Sequence, residues 1–409
     1  MWKAIVIAIK DSRIRTVAVA LLLLGFTFAS TVPYQTIIGI DQLGLSERQM
    51  GLLIFGIGLS GMIGNLTLGY LSDYAQNRKN SVLFSLAIGF LGFGAFAIWP
   101  SLTTFLICCL LINPISGSAY SQLFAIVRTM TIDKGTAEAA SINSAVRTFF
   151  ALSWIVVPGL VGLFIATRKN VSDSYAIAAL AFGLCFVFYA LFGPTGGRTQ
   201  ISSNSAWHNL REAFGMIFET RVFRRLMALS FIQGPHPLIA AALPLIITSL
   251  PHGSTADVGF LAGLFAALEI PIMLVAGALN RNWHTWTLVI IGALTHISFL
   301  LGLGLVSNVA SIYALAILNA VGTAIMVTLH ISYVQELLPD RPGLATSLLS
   351  ISTLVNRTLS AIVFAGIGLV YSYAGAMMAM ALLALLGSVA IYVLDRGSGL
   401  RRAPNFRTE

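Results

Sequence analysis

Charge is what this sequence has least of. Its 409 residues include 24 Lys/Arg and 15 Asp/Glu, or 10% charged, where an average soluble domain has about 25%. Hydrophobic residues make up 57%. So few charges cannot cover the outside of a soluble fold of this size, which excludes an ordinary soluble enzyme, a disordered chain and a coiled coil. Cysteine is nearly absent too. Cys108, Cys109 and Cys185 lie in apolar runs without paired spacing, so no disulfide framework or zinc site is expected and the three read as small buried hydrophobes. A Walker A loop is missing, as is any His/Cys/carboxylate cluster with metal-ligand spacing. ATP drive, a cofactor and a metal are therefore not expected. The net charge of +9 would point to nucleic acid only if the basic residues formed a patch on a soluble face.

Long apolar runs are what the chain does have. A bilayer core of about 30 Å needs about 20 apolar residues of helix. Twelve stretches qualify, at approximately 16–40, 49–71, 81–99, 102–127, 142–165, 174–193, 224–249, 257–279, 286–305, 310–335, 343–370 and 374–394. Strand alternation is absent from them, which disfavours a barrel. Gly56, Gly58, Gly61 and Gly64 fall close together in the second stretch, where small residues let helix backbones approach. The first stretch is too long for a cleavable signal, and eleven more follow.

The basic residues are distributed unevenly between the loops. With the N-terminus inside, 19 of the 24 fall on the inner side. They begin with Lys3, Lys10, Arg13 and Arg15 and end with Arg396, Arg401, Arg402 and Arg407. Arg48, Arg168 and Lys169 fall outside, and Arg147 and Arg357 lie within spans. This excess predicts cytoplasmic termini and an even number of spans. It also accounts for the +9 without nucleic acid.

The expected fold is all-α and integral to the membrane, with 12 transmembrane helices in two pseudo-symmetric six-helix bundles. Residues 1–193 form the first bundle, 194–223 a cytoplasmic linker, 224–396 the second bundle and 397–409 a cytoplasmic tail. Gly193 and Pro194 break the sixth helix. Within the linker, Trp207, Leu210, Phe214, Ile217 and Phe218 recur at helical spacing beside Arg211, Arg221, Arg224 and Arg225, as in a helix lying on the inner membrane surface; a plain linker is the alternative. Ser46, Gly51, Gly69, Leu71 and Asp73 recur 208 residues on as Ser254, Gly259, Gly277, Leu279 and Arg281. Arg147 meets Arg357 at an offset of 210, and Asn113 and Asn319 occupy similar places. Consistent offsets near half the chain length indicate a duplicated unit. Two such halves with a polar site between them make a transporter architecture.

An ionisable side chain within a span is costly, so it faces a cavity or a partner. That reasoning singles out Arg147, Glu269 and Arg357 for proton coupling. Glu269 stands mid-span in Ala266-Ala267-Leu268-Glu269-Ile270-Pro271. A carboxyl there can be neutral when protonated and charged beside an Arg, and can accept hydrogen bonds from substrate hydroxyls. A structural Glu–Arg pair is the bland alternative. Pro271 removes a backbone bond in the same turn, where a bend is expected. Candidate substrate-binding residues are Gln35, Asn113, Gln122, Asn143, Gln233, His236, Glu269, Asn319, His330 and Asn356, although each amide or imidazole could instead cross-link helices. Phe124, Trp154 and Tyr333 could stack on a ring or simply pack.

The segment Gly69-Tyr70-Leu71-Ser72-Asp73-Tyr74-Ala75-Gln76-Asn77-Arg78-Lys79 resembles the signature loop of the major facilitator superfamily, with Gln76 standing where the family has Gly. The resemblance implies a gating loop in which Asp73 caps a helix N-terminus and Arg78 and Lys79 form an inner-face latch, with Gly69 at its start. Further segments are similar to one branch, the bacterial sugar efflux transporters. These are Gln122–Arg128, Arg147 with Ser153–Pro158, Ala267–Gly277, Leu318-Asn319-Ala320 and Arg357. That resemblance implies export of sugars or glycosides coupled to proton entry, in the bacterial inner membrane, by a functional monomer whose other partner is membrane lipid. Export of amphiphilic drugs on the same scaffold is the alternative. An intramembrane enzyme or sensor would need a clustered nucleophile and base or a soluble output domain, and neither is visible.

Overall fold

The computed structural model describes the chain apart from residues 1–6, 8, 75–77, 132, 134, 195–214, 216–218, 281, 339–341, 367–371 and 397–409. The side chains of 65–66, 68–74, 136–137, 140, 221 and 342–347 also lie outside the described residues. The surface helix expected around Trp207–Phe218, the basic positions Arg281 and Arg341, and the tail therefore fall outside the description.

The described residues are helical and contain no strand. Taking contiguous helical stretches together gives α1 (Ser12–Thr31, continuing to Gln42), α2 (Glu47–Tyr74), α3 (Arg78–Ile98) and α4 (Leu102–Ile107, continuing to Met130). There follow α5 (Thr136–Arg168), α6 (Asp173–Phe192), α7 (Thr220–Gln233 and Pro235–Ser249) and α8 (Thr255–Leu279). The last are α9 (Thr285–Leu303), α10 (Val309–Leu337), α11 (Pro342–Ala365) and α12 (Tyr373–Asp395). Eleven of them are long and apolar enough to cross a membrane. The helix α2, which carries the expected stretch 49–71, is not among the eleven, and part of it lies outside the described side chains.

Local chemistry sets the helix ends. Asp11 Oδ1 accepts from the amides of Arg13 and Ile14 at 2.9 and 3.2 Å and starts α1. Ser254 and Asp257 form a reciprocal capping box at the start of α8, and Ser46 with Gln49 does the same for α2. These pairs satisfy amides that the first helical turn leaves without partners. The sixth helix stops at Phe192, where Gly193 turns the chain into extended conformation. Helix α8 runs on through Pro271 without interruption.

Among the described residues, three helices are interrupted. In α1 a short 3-10 turn at Val32–Tyr34, containing Pro33, is followed by a π-helical turn at Ile38–Gln42. A second π turn, Cys108–Ile112, lies within α4. In α7 the helix breaks at Gly234, ahead of Pro235 and Pro237, which have no amide hydrogen to offer. Ser360 Oγ on α11 donates to the Gly234 carbonyl at 2.7 Å, replacing part of the lost bonding.

Contacts divide the chain into two compact units. The first holds 1–44, 59–203 and 258–263, and the second holds 45–58, 204–257 and 264–409. In the first, α1 packs on α5 and α6, and α3 on α4 and α6. Phe93, Phe96, Phe105, Tyr175 and Phe182 form an aromatic core there, with ring centroids 4.6–6.2 Å apart. In the second, α9 packs on α10 and α12, and α7 on α11 and α12. A buried ion pair pins it: Arg225 Nε donates to Asp395 Oδ1 at 2.8 Å, and Tyr333 donates to Oδ2 at 2.7 Å.

Candidate functional site

The three ionisable residues expected inside the spans sit on three long helices. Glu269 stands 14 residues into α8 and Arg357 15 residues into α11, both in the second unit and both half-buried. Neither has a hydrogen-bond or ion-pair partner among the described residues, so they are not joined as a structural pair. Arg357 lays its stem on Gly58 of α2, where an added Cβ would come within 2.9 Å of Arg357 Cδ. The glycine thus makes room for the arginine. Arg147, on α5 in the first unit, is exposed, and its Nε donates to Tyr120 Oη at 3.3 Å. A charge of this kind facing lipid near a helix centre costs at least about 2.5–3.5 kcal/mol. Charged groups left without acidic partners therefore belong beside water or a ligand.

The second unit carries further polar groups inside its helices. His236 follows the break in α7 and lies within electrostatic range of both Arg357 and His296. His296 is buried, with Nε2 3.3 Å from Asn319 Oδ1 and 3.1 Å from Thr323 Oγ1, while its Nδ1 has no partner among the described residues. His330 Nε2 meets Ser352 Oγ at 3.2 Å. Asn356, beside Arg357 in sequence, keeps a buried Oδ1 free of partners among the described residues. Gln233 donates to the Met326 carbonyl at 3.2 Å.

In the first unit the amides divide similarly. Gln35 follows the 3-10 turn of α1 and donates to Cys109 Sγ at 3.1 Å. It shares with Asn113, Thr31 and Cys108 the lining of a cavity of ≈ 10 Å³, room for about one water and not for a sugar. Gln122 donates to Ser118 and Ser85 at 2.9 and 3.4 Å, leaving its Oε1 without a partner among the described residues. Asn143 folds back onto the Ala139 carbonyl of its own helix. Broken or tightened helices in a membrane present freed backbone and the side chains beside it to a cavity. Gln35 and His236 stand at such places.

Part of the expected gating loop is described. Gly69 and Asp73 lie on α2 with their side chains outside the described residues. Arg78 is buried at the start of α3, and Lys79 Nζ donates to the Ala190 carbonyl at 2.8 Å, tying α3 to the end of α6. Tyr333, one of the possible stacking rings, is fully buried and occupied by Asp395. His296, Thr323 and Tyr120 are polar neighbours that the sequence reading did not select. His296 was legible as a histidine in an apolar run; Tyr120 was one tyrosine among eleven.

Residues 17–236 match the family described as the Major Facilitator Superfamily. The chain belongs to the Major Facilitator Superfamily. It is accordingly a multi-pass membrane transporter and not an enzyme. A candidate sugar efflux transporter of Deinococcus radiodurans is 28% identical over 354 residues, covering 87% of this chain and 90% of that one. Sugar efflux transporter A of Dickeya chrysanthemi is 26% identical, covering 88% and 91%. Sugar efflux transporter B of Salmonella typhimurium is 27% identical, covering 80% and 81%. Among solved structures, the nucleoside transporter NupG superposes with a TM-score of 0.77 at 12% identity, covering 94% of this chain and 99% of that one. A transporter of the POT family bound to 5-aminolevulinic acid gives 0.78 at 12% identity, covering 93% and 95%. At such identities these two establish the fold of this superfamily member and nothing about its cargo.

Proposed function

We propose that this transporter is a secondary active exporter of sugars or glycosides in the bacterial inner membrane, driven by proton antiport. Residues 1–193 and 224–396 form two six-helix bundles joined by 194–223, with both termini in the cytoplasm, and the bundles alternate access to a polar site. Glu269 takes up and releases the proton. Arg357 and Arg147 complete the coupling set, and the surrounding amides and imidazoles bind hydroxyls. The observation that carries this reading is the state of Glu269 and Arg357. Both are ionisable, half-buried in the middle of long apolar helices, and without a partner among the described residues, as a group that must change charge and meet a ligand requires. The sugar class rests on the names of the relatives.

The test is efflux from proteoliposomes loaded with a panel of labelled sugars under an imposed pH gradient. The unmodified protein is expected to drive efflux that a protonophore abolishes. Glu269→Gln is expected to lose gradient-driven efflux while keeping sugar counterflow and the elution profile of folded protein. Undiminished coupled efflux by that variant would remove Glu269 from the mechanism. Amphiphile transport without any sugar transport would replace sugars with drugs as the cargo.

A further inference from the structure

We propose that Tyr120, with Phe124 and Phe150, forms the platform on which the pyranose ring of the substrate lies, and that the Tyr120 hydroxyl holds Arg147 in place beside it. This rests on the sugar reading above and names the part of the site that would select a ring sugar.

The platform is built from two helix faces of the first unit. On α4, Gly117, Tyr120 and Phe124 follow at spacings of three and four, so they share one face. On α5, Arg147 and Phe150 are three apart and share another. The rings of Tyr120 and Phe124 lie 4.9 Å apart at 62°, and those of Tyr120 and Phe150 lie 4.8 Å apart at 64°. Neither pair is stacked face to face, so the cluster does not consume itself in parallel stacks. Phe28 of α1 backs Phe150 at 6.3 Å and reaches towards α4, where a Cβ on Gly117 would stand 3.6 Å from its Cζ. All four rings are half-buried, neither sealed in the core nor fully open.

Arg147 tells which way this surface faces. It is exposed, it stands 11 residues from the start of α5, and that distance is about 16 Å along a helix. A guanidinium at such depth is not presented to lipid tails. Its Nε is taken by Tyr120 Oη at 3.3 Å, which leaves the two terminal nitrogens as donors. Rings that touch this arginine's anchor share its water-accessible side. The chemistry on offer is then specific. An aromatic face carries negative charge density, and one face of a pyranose presents a row of C–H bonds that complement it. The guanidinium fork can meet hydroxyl oxygens at the ring's edge. An open-chain alditol has the same hydroxyls but no rigid C–H face.

The experiment compares ring and chain. Counterflow into proteoliposomes is competed with glucose, galactose and their methyl glycosides, and with glucitol and galactitol. The unmodified protein should prefer each pyranose over its alditol by about tenfold, the worth of one good aromatic contact. Tyr120→Ala should bring that ratio close to one. Tyr120→Phe should keep the preference while weakening both ligand classes several-fold, because the ring remains and the arginine loses its anchor. Should Tyr120→Ala fail to fold, Phe124→Ala reads the same ratio. An unmodified protein without ring preference, or a Tyr120→Ala or Phe124→Ala variant that retains it, overturns the platform while leaving the sugar reading intact. Absence of counterflow with every sugar overturns both.

Discussion

At the scale of single residues, the structure separates charges bound in a buried ion pair from charges without an ion-pair partner among the described residues. Arg225 and Asp395 are the first kind, with side chains 5% and 0% exposed at a separation of 2.8 Å. Removing one member of a buried pair strands the other, which costs about 3–5 kcal/mol. Arg225→Ala is therefore expected to lower the thermal midpoint of the detergent-solubilised protein markedly. Tyr333→Phe, which removes one hydrogen bond to the same carboxylate, should cost about 1–3 kcal/mol. Glu269, Arg357 and Arg147 are the second kind. The site around them was legible as a list of expensive side chains, because an ion in an apolar run stands out in any sequence. The support for that list was not legible. Gly58 lies nearly 300 residues before Arg357 and carries no chemistry of its own, yet any side chain there meets the arginine stem. Gly58→Leu is expected to reduce sugar counterflow by about tenfold or more, since a displaced guanidinium loses an oriented, charge-assisted contact worth about 1.5–3 kcal/mol, while expression and elution profile persist.

At the scale of helices, ends and interruptions do the positioning. The cap of α8 uses Ser254 and Asp257 at full reciprocity. Ser254→Ala is expected to cost about 1 kcal/mol, visible as a small drop in the thermal midpoint. A few residues on, Gly259 of α8 lies against α5 within the first unit, where an added Cβ would collide with the Pro158 carbonyl oxygen. Backbone cannot yield as a flexible side chain can, so Gly259→Val should force the two helices apart and lower both stability and counterflow. Gly61→Ala is the matched control: nothing among the described residues lies within 4 Å of its added Cβ, and alanine is the better helix former. The interruptions in α1 and α7 were partly foreseeable. Pro33, Pro235 and Pro237 announce lost backbone bonds. The π turn at Cys108–Ile112 is marked in the same way, since Pro114, two residues on, lacks the amide hydrogen that an unbroken α-helix would donate to the Leu110 carbonyl.

At the scale of the whole molecule, the basic residues make a prediction independent of any site. If 19 of 24 line the inner side, a fluorescent protein fused after Glu409 should fold and fluoresce, and alkaline phosphatase fused there should be inactive. Moving either reporter into the 168–172 connection should reverse both results. The opposite pattern would invert the topology and with it the direction assigned to export.

What the sequence determined by itself was everything that depends on solvent. Ten per cent charge and apolar runs of helix-spanning length follow from transfer free energies, which act on each segment separately. A membrane carrier of helices could be read from them, and a signature loop could narrow the superfamily. The pairings came from the fold. It bonded Gln233 to the Met326 carbonyl and Gln122 to Ser118 and Ser85, left Glu269 and Arg357 unbonded among the described residues, and set Tyr120 against Arg147. The physical reason is that a buried polar group is costly unless it finds a partner. Whether it finds one in the protein or waits for a ligand depends on distances between helices that are remote in the chain.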